Sequence, residues 1–151
     1  MRALYKQIRL RMSQSEVSTK SRLINRRLIN EIEWAKYKKV CVYQPVASLN
    51  EVDIIGLISR LQKQAELDLF VVEPHKKAAV PAKKFDLIIV PCLAYDDDNH
   101  RLGWGGGWYD KFLAGQSQAE KVGVCFSSGH IEGGIPHEPH DIALNKVITE
   151  I

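Results

Sequence analysis

Apolar side chains in the first part of the chain recur with the period of a helix. From Val17 to Ile32 they stand three to four positions apart, with lysines and arginines on most of the positions between them. The preceding letters SQSE, residues 13–16, place a serine three positions before a glutamate, which is typical of a capping box. The pattern predicts an amphipathic helix that begins at this box and ends near Tyr37. Its predicted buried face is Val17, Ser21, Ile24, Leu28 and Ile32.

Five later segments are short apolar runs that predict strands. They read KVCVYQP, LDLFVVEP, FDLIIVPCLAY, KVGVCF and NKVITE, and they start at residues 39, 67, 85, 121 and 145. Runs without polar alternation are typical of strands buried on both faces. Between the first two runs, the segment EVDIIGLISRLQKQ predicts a helix with Ile54, Ile55, Ile58 and Leu61 on one face. The segment HKKAAVPAKK, residues 75–84, is the most linker-like part of the chain.

The alternation of strands and helices predicts the fold class and the position of a site. It favours an α/β domain, a three-layer sandwich with a mainly parallel central sheet flanked by helices. A chain of 151 residues fits a single domain, residues 1–151. In such sheets ligands bind at the carboxyl ends of the strands, in the loops that lead into helices. Residues Arg101 to Gly107 are predicted to form such a loop, before a short helix WYDKFL.

Composition narrows the class of protein. Hydrophobic residues make up 45% and charged residues 26% of the chain, and no apolar run approaches the roughly 20 residues that span a bilayer. The N-terminus shows no secretory signal, so a soluble, cytoplasmic protein without a membrane partner is expected. The three cysteines each lie in an apolar run without C-x-x-C spacing, which favours buried, reduced thiols.

Charge is concentrated in the first quarter of the chain. Eleven lysines and arginines stand against three glutamates through Lys39, a net charge of +8 in a chain whose total is +3. Such a surface fits either a polyanion or the solvated face of a helix. The aromatic residues cluster with the glycines instead of with these basic residues, so nucleic-acid binding is the weaker interpretation.

The segment RLGWGGGWYD, Arg101 to Asp110, carries the strongest chemical signal. Its four glycines free the backbone for positive φ and let several N–H groups point into one concavity, which suits a phosphate. A helix that starts near Trp108 adds unpaired amides, and Arg101 adds a charge. No Lys-Ser or Lys-Thr pair follows, so this is not a Walker A loop, and the spacing does not fit a dinucleotide fingerprint. A tight turn whose tryptophans fill the core is the competing interpretation.

Two further segments suggest metals. HEPHD, residues 137–141, places two histidines next to carboxylates, but Pro139 argues against the helical spacing of a zinc site. DDDN, residues 96–99, lacks the glutamate of a calcium loop and predicts a polar turn. Asp110 and Asp141 fit better as oxygen ligands of a hydrated Mg²⁺ that a nucleotide brings with it.

Together, VPCLAYDDDNHRLGWGGGWYDKFL, the earlier NEVD and the closing IPHEPHDIALNKVITE resemble the 5-formyltetrahydrofolate cyclo-ligase family, also called methenyltetrahydrofolate synthetase. The resemblance covers most of the chain in the same order, and RLGWGGGWYD is its most specific part. It implies a fold like that of the NagB/RpiA/CoA-transferase group. It also implies an ATP- and Mg²⁺-dependent enzyme that converts 5-formyltetrahydrofolate to 5,10-methenyltetrahydrofolate, acting as a monomer or homodimer.

The resemblance also assigns site residues. Arg101 and Tyr109 would be catalytic, Glu51 would touch the formyl or pterin end of the folate, and Asp110 and Asp141 would contact Mg²⁺. The implied ATP-binding residues are Arg2, Lys6, Arg101, Leu102, Gly103, Trp104, Gly105, Gly106, Gly107, Trp108 and Tyr109, with Arg9 and Arg11 as weaker candidates. The implied folate-binding residues are Glu51, Trp104, Gly105, Gly106, Gly107 and Trp108.

The chain departs from the family pattern at three places. It starts where the N-terminal K-x-x-L-R pattern is nearly finished, so the leading lysine is absent, and Trp108 replaces the usual Tyr or Phe. Most relatives also carry an additional segment between Gln64 and VVEP that supplies part of the folate pocket. A non-catalytic relative that binds ATP or a folate is therefore the alternative.

Overall fold

The computed structural model describes residues 1–151, which form four α-helices and eight β-strands. The helices are α1 (Arg2–Leu10), α2 (Gln14–Glu31), α3 (Ile55–Gln62) and α4 (Trp108–Ala114). The strands are β1 (Lys39–Tyr43), β2 (Asp68–Val72), β3 (Leu87–Pro91), β4 (Ala94–Asp96), β5 (Arg101–Leu102), β6 (Glu120–Val124), β7 (His130–Ile131) and β8 (Lys146–Ile148). All five predicted strand segments contain at least one strand.

Five strands form a parallel sheet in the order β2-β1-β3-β6-β8. The central strands β1 and β3 are apolar and buried along almost their whole length, as parallel strands covered on both faces must be. Strand β4 pairs antiparallel with β5 and parallel with β7 in a second, three-stranded sheet. The predicted α/β fold with a mainly parallel sheet flanked by helices is confirmed.

Helix α2 shows the predicted start and an earlier end. The Ser13 hydroxyl accepts from the Glu16 amide, and the Glu16 carboxylate accepts from the Ser13 amide, so the capping box is confirmed. The predicted end near Tyr37 is wrong, because Ile32 already has extended backbone and Trp34 begins a separate 3-10 turn. The Trp34 indole donates to the Leu28 carbonyl, which also accepts from the Ile32 amide, and so ties the 3-10 turn to the end of α2.

The buried face of α3 differs from the prediction by one position. Ile54, Ile58 and Leu61 are buried as expected, whereas Ile55 is 43% exposed. Leu57 takes the predicted place of Ile55 in the core. Because consecutive helical residues lie about 100° apart around the axis, residue 55 cannot share the face of residues 54, 58 and 61, whereas residue 57 does.

Strand β2 is not buried on both faces, contrary to the prediction. It forms the edge of the sheet and pairs only with β1. Its side chains alternate in burial, and Phe70 is 40% exposed. A central position and an edge position give similar apolar runs, so the sequence of LDLFVVEP did not distinguish them.

Helix α1 is not predicted by the hydrophobic pattern. Its apolar residues Leu4 and Leu10 are exposed, whereas the charged residue Arg9 is buried. The Arg9 guanidinium donates to the Cys92 carbonyl at 2.8 Å and lies 4.9 Å from the centroid of the Phe126 ring. Arg9 therefore anchors α1 to the sheet. Its prediction as a weaker candidate for nucleotide binding is wrong, because its side chain is buried and does not line the cleft.

The three cysteines are buried and free, in agreement with the prediction. Burial raises the pKa of the Cys41 thiol to about 12 and that of the Cys92 thiol to about 11. Both side chains therefore behave as small apolar core residues. None of the four helices combines the length and the apolar character of a membrane span.

Candidate active-site cleft

A cleft with a cavity volume of about 280 Å³ opens at the carboxyl ends of two adjacent central strands. Tyr43 and Gln44 reach it from the end of β1, and Pro91 reaches it from the end of β3. The chain leaves β1 toward β2 on one side, while β3 lies on the other side. Such a point, where the strand order reverses, is where open α/β sheets bind their ligands.

One side of the cleft is the glycine wall, which we define as residues Arg101 to Tyr109. The prediction of a loop over Arg101 to Gly107 is wrong for its first two residues, because Arg101 and Leu102 form β5 and pair with β4. The loop proper runs from Gly103 to Gly107. Gly105 and Gly107 have φ angles of +117° and +70°, which L side chains rarely adopt. A Cβ on Gly106 would meet no atom within 4 Å, so its backbone is open to the cleft.

Arg101 and Tyr109 form the buried end of the glycine wall. The side chain of Arg101 is only 7% exposed, and its guanidinium carbon lies 5.0 Å from the centroid of the Tyr109 ring. Its Nη2 lies 3.6 Å from Oδ1 of Asp110. The Tyr109 hydroxyl is buried without a hydrogen-bond partner, and burial raises the pKa of this phenol well above its usual range. A cation and an unpaired hydroxyl therefore lie at one end of the loop.

Helix α1 braces the glycine wall from outside. The Nε of Arg2 donates to the Gly103 carbonyl at 3.0 Å, and its side chain packs against Gly105. Arg2 also lines the cleft, whereas Lys6 does not. The Nζ of Lys6 lies 5.7 Å from the centroid of the Trp104 ring, so Lys6 contacts the wall through an aromatic face.

A second part of the cleft lining is the carboxylate wall, which we define as Glu51 and His75. The side chain of Glu51 is 2% exposed, and both of its oxygens are engaged. Oε2 accepts from the Val46 amide at 2.9 Å, and Oε1 lies 3.0 Å from Nε2 of His75. The preceding Asn50 has a left-handed backbone, φ 50°, that its own side chain stabilises by donating to the Arg9 carbonyl. The carboxylate of Glu51 is thus buried and fixed in the lining of the cleft.

A stacked pair of histidines closes one end of the cleft. The rings of His100 and His137 lie 3.6 Å apart and 17° from parallel, and both residues line the cavity. His100 directly follows the turn that Asp96 holds together, since the Asp96 carboxylate accepts from the amides of Asp98 and His100. This confirms the predicted polar turn over residues 96–99. Asp96 also accepts from the Ile135 amide and so links the turn to the segment that carries His137.

The two carboxylates predicted for Mg²⁺ both line the cleft. The side chain of Asp110 is 65% exposed, and Oδ2 of Asp141 accepts from the Glu138 amide at 2.8 Å. No three His, Cys, Asp or Glu side chains gather in a geometry that would hold a metal ion by themselves. Of the HEPHD segment, His140 is 82% exposed and lies outside the cleft, so the two histidines do not converge.

The structure therefore brings most of the sequence-predicted site residues to one cavity. They are Arg2, Glu51, the stretch from Arg101 to Tyr109, Asp110 and Asp141. Lys6 lies outside the cavity. The sequence did not single out His75, which stands in a segment with the composition of a linker, or His100, which directly precedes RLGWGGGWYD without being assigned a role. Only His137 carried a signal, through the HEPHD segment.

Known proteins resemble this chain over most of its length. Residues 62–150 match the model of the 5-formyltetrahydrofolate cyclo-ligase family. A 5-formyltetrahydrofolate cyclo-ligase of Mycoplasma pneumoniae is 25% identical over 164 positions, which cover 98% of this chain and 97% of that protein. One of Mycolicibacterium smegmatis is 39% identical over 85 positions, which cover 56% of this chain and 44% of that protein.

Solved structures share the fold. The 5,10-methenyltetrahydrofolate synthetase of Mycoplasma pneumoniae aligns with a TM-score of 0.81 at 22% identity and covers 99% of this chain and 96% of its own. The enzyme of the same name from Aquifex aeolicus aligns with a TM-score of 0.78 at 25% identity, covering 99% and 87%. Because the family model spans more than half of the sequence, this chain belongs to the 5-formyltetrahydrofolate cyclo-ligase family.

Proposed function

We propose that this protein is a 5-formyltetrahydrofolate cyclo-ligase. It converts 5-formyltetrahydrofolate to 5,10-methenyltetrahydrofolate and releases ADP and phosphate from ATP. One observation carries the proposal: the glycine wall and the carboxylate wall line the same cleft at the strand switch point of a chain of this family. We assign the phosphates of ATP to the glycine wall, and the folate to Glu51 together with the stretch from Trp104 to Trp108.

The glycine wall suits the phosphates of ATP. Its four glycines line the cleft, and Arg2 and Arg101, which line the same cleft, supply positive charge beside them. Phosphoryl transfer is catalysed largely by positioning and by neutralising charge on the transferred group. Arg101, held rigid by Tyr109 and by burial, is the residue that we assign to this role.

The chemistry of the reaction explains why ATP is needed. The formyl oxygen of the substrate is amide-like and a poor leaving group. Once it has taken the γ-phosphate of ATP, N10 can attack the activated carbon and phosphate can leave. Tyr109 and Glu51 both line the cleft, and we assign Glu51 to the formyl or pterin end of the folate.

Mg²⁺ fits the cleft as an ion that enters with the nucleotide. Mg²⁺ keeps several waters and takes one or two protein carboxylates, and the cleft offers Asp110 and Asp141 without a preformed cage. When bound, Mg²⁺ would neutralise phosphate charge. The residues of the cleft would orient the two substrates and hold Arg101 next to the phosphates.

A turnover assay tests the proposal. Protein, 5-formyltetrahydrofolate, Mg²⁺ and ATP are mixed, and near-ultraviolet absorbance is followed, because the methenyl product absorbs there and the substrate does not. We expect a rise that requires ATP and that disappears in Gly106→Asp. A folded protein that turns over neither ATP nor 5-formyltetrahydrofolate would overturn the proposed function.

The second candidate is a relative that binds ATP or a folate without catalysis. The short connection Lys63–Leu67 between α3 and β2 favours it, because most relatives carry a longer segment there. Against it, the alignment with the Mycoplasma pneumoniae cyclo-ligase covers nearly the full length of both chains, so that enzyme is of similar size. Thermal stabilisation by ATP or 5-formyltetrahydrofolate without product formation would favour the binding protein, since a ligand of the native state raises its stability.

A further inference from the structure

The geometry points to His75 as a positioning residue that keeps Glu51 ionised and aimed into the cleft, so that Glu51 can take the proton that N10 of the folate loses. This inference rests on the proposed function. It concerns a histidine outside every motif of the chain, in a segment whose composition is that of a linker.

The contact between the two side chains defines their roles. Nε2 of His75 lies 3.0 Å from Oε1 of Glu51, and the other carboxylate oxygen is occupied by the Val46 amide. An ionised carboxylate only accepts hydrogen bonds, so a neutral His75 must carry its proton on Nε2. The other ring nitrogen, Nδ1, makes no hydrogen bond within the protein. Glu51 thus has a donor on each oxygen, which fixes the plane of the carboxylate.

Burial makes this support necessary. The side chain of Glu51 is 2% exposed, whereas that of His75 is 37% exposed. A buried carboxylate without hydrogen-bond donors takes up a proton and loses its charge. With the Val46 amide alone, one oxygen of Glu51 would face the cleft unsupported. His75 supplies the second donor and is itself in contact with solvent.

The segment that carries His75 is held in place at two points. His75 lies in a 3-10 turn, Pro74–Lys76, that ends at Lys77 with a left-handed backbone, φ 54°. Three residues after the histidine, the Ala78 carbonyl accepts from the Trp108 indole of α4 at 2.8 Å. The segment is therefore part of the cleft lining, and the hydrogen bond from Trp108 connects the segment of His75 to the glycine wall.

Ring closure gives the pair its chemical task. The lone pair of N10 forms a bond to the formyl carbon, and the carbon–oxygen bond breaks with its electron pair leaving on the phosphate. The proton of N10 must be accepted, and the Glu51 carboxylate takes it and passes it to solvent when product leaves. If His75 is protonated, the pair becomes an ion pair and Glu51 becomes a weaker base.

The pH dependence expected from the pair of His75 and Glu51 must be distinguished from that of other titratable groups in the cleft. Tyr43 and Tyr109 lie near Glu51, and burial raises the pKa of both phenols well above the range of the assay. On the turn of His75 itself, Glu73 and Lys76 pair with each other at 2.9 Å. The cavity is also lined by the charged residues Arg2, Arg101, Asp110 and Asp141 and by the imidazoles His100 and His137. Because His137 is also an imidazole of the cleft, a variant of it serves as a control.

The experiment measures kcat, KM for both substrates and the pH profile of kcat in His75→Ala and His75→Gln. We expect His75→Ala to lower kcat about 10-fold while KM for ATP stays unchanged, because Glu51 loses a donor to its charge. Gln keeps an N–H donor and should restore most of kcat at pH 8. It should also abolish the decline of kcat between about pH 8 and 5, where an imidazole ordinarily titrates.

Two controls complete the design. Lys76→Ala, on the same turn but outside the cleft, should retain the wild-type kcat. In His137→Gln the decline of kcat toward pH 5 should persist. A His75→Ala enzyme with wild-type kcat and pH profile would overturn the inference, as would a His75→Gln enzyme as slow as His75→Ala.

A failure of the proposed function would be recognised separately, since the wild-type protein would then show no turnover. The pairing has a readout that needs no substrate: ¹⁵N NMR of the His75 ring. We expect the Nε2–H tautomer in the wild type and a mixture of tautomers in Glu51→Gln. A predominant Nδ1–H tautomer in the wild type would overturn the positioning role.

Discussion

The two walls of the cleft are built in opposite ways. The glycine wall presents four glycines among aromatic side chains, two of the glycines with positive φ, and Arg2 and Arg101 beside them. The carboxylate wall presents one buried acidic side chain, Glu51, whose two oxygens are each held by a donor. The first arrangement suits the close approach of a large anion, and the second suits exchange of a single proton.

This difference implies that the two walls fail in different ways. Damage to the glycine wall should weaken the binding of ATP, because phosphate contacts are lost there. Damage to the carboxylate wall should slow the chemical step and leave ATP affinity unchanged, because Glu51 is assigned to the folate and not to the phosphates. A change in KM for ATP against a change in kcat is therefore the measurement that separates them.

Gly106→Asp should give the largest effect. A Cβ at Gly106 would meet no atom within 4 Å and the backbone there is not left-handed, so the variant should fold normally. The new carboxylate would occupy the place proposed for the phosphates, and we expect kcat/KM for ATP to fall at least about 100-fold. Steady-state kinetics measures this loss. Gly56→Asp, on α3 and equally free of neighbours, is the matched control and should be fully active.

Glu51→Gln should have the next largest effect, which should fall on kcat and leave KM for ATP nearly unchanged. The shape of the side chain is kept while its charge and basicity are lost, so we expect kcat to fall about 10- to 100-fold. KM for ATP should change less than about twofold within the same assay. Glu73→Gln, a more exposed glutamate paired with Lys76, is the control. A large rise in KM for ATP in Glu51→Gln would remove the distinction between the two walls.

The sequence predicted one wall better than the other. The glycine wall is contiguous, and its residue types already state its chemistry, so RLGWGGGWYD could be interpreted without the fold. The carboxylate wall joins residues that follow β1 and β2 and stand 24 positions apart, and no local pattern connects them. Glu51 was assigned through the family resemblance, while His75 was hidden in a segment with the composition of a linker.

The same physical reason explains the errors in the fold. Amphipathic periodicity predicted α2, and continuous apolar runs predicted the strands, because burial there follows the local sequence. The local pattern failed for α1, where Arg9 is buried and donates to carbonyls of the distant β3–β4 connection while leucines face solvent. It also failed for β2, because an edge position depends on which strands pair and not on the residues of that strand. Local patterns predict local structure, and contacts between distant segments need the fold.

Asp96→Asn should lower the free energy of unfolding by about 2 kcal/mol, because the N–H₂ group of the new amide would face a backbone N–H donor. Asp96 lies in β4, which pairs with the first residues of the glycine wall. Burial raises the pKa of Asp96, but hydrogen bonds from the Ile135 and His100 amides outweigh it, so the pKa lies below its usual range. Its stabilising contribution is therefore complete above the unfolded pKa of about 3.9 and is lost as pH falls through the folded value.

Urea unfolding at pH 7 and pH 3 measures this difference between wild type and Asp96→Asn. The difference in the free energy of unfolding between wild type and Asp96→Asn should have its largest value at pH 7 and should be smaller at pH 3. Asp98→Asn, whose side chain makes no hydrogen bond in the protein, should unfold like the wild type at both values. An equal gap at both pH values would show that the carboxylate charge does not stabilise the turn.

Lys6→Ala should give the smallest effect and tests how far the glycine wall extends. Lys6 contacts only the Trp104 ring, 5.7 Å from its centroid, and such an exposed cation–π contact is worth about 0.5–1 kcal/mol. If its sole task is to steady Trp104, KM for ATP should rise about two- to fivefold with kcat unchanged. Arg22→Ala, which removes an exposed basic side chain of α2 outside the cleft, should leave both constants unaltered and so corrects for the loss of general positive charge. A loss as large as that of Gly106→Asp would mean that Lys6 reaches the phosphates directly, and the wall would then include α1 as a binding element and not only as its brace.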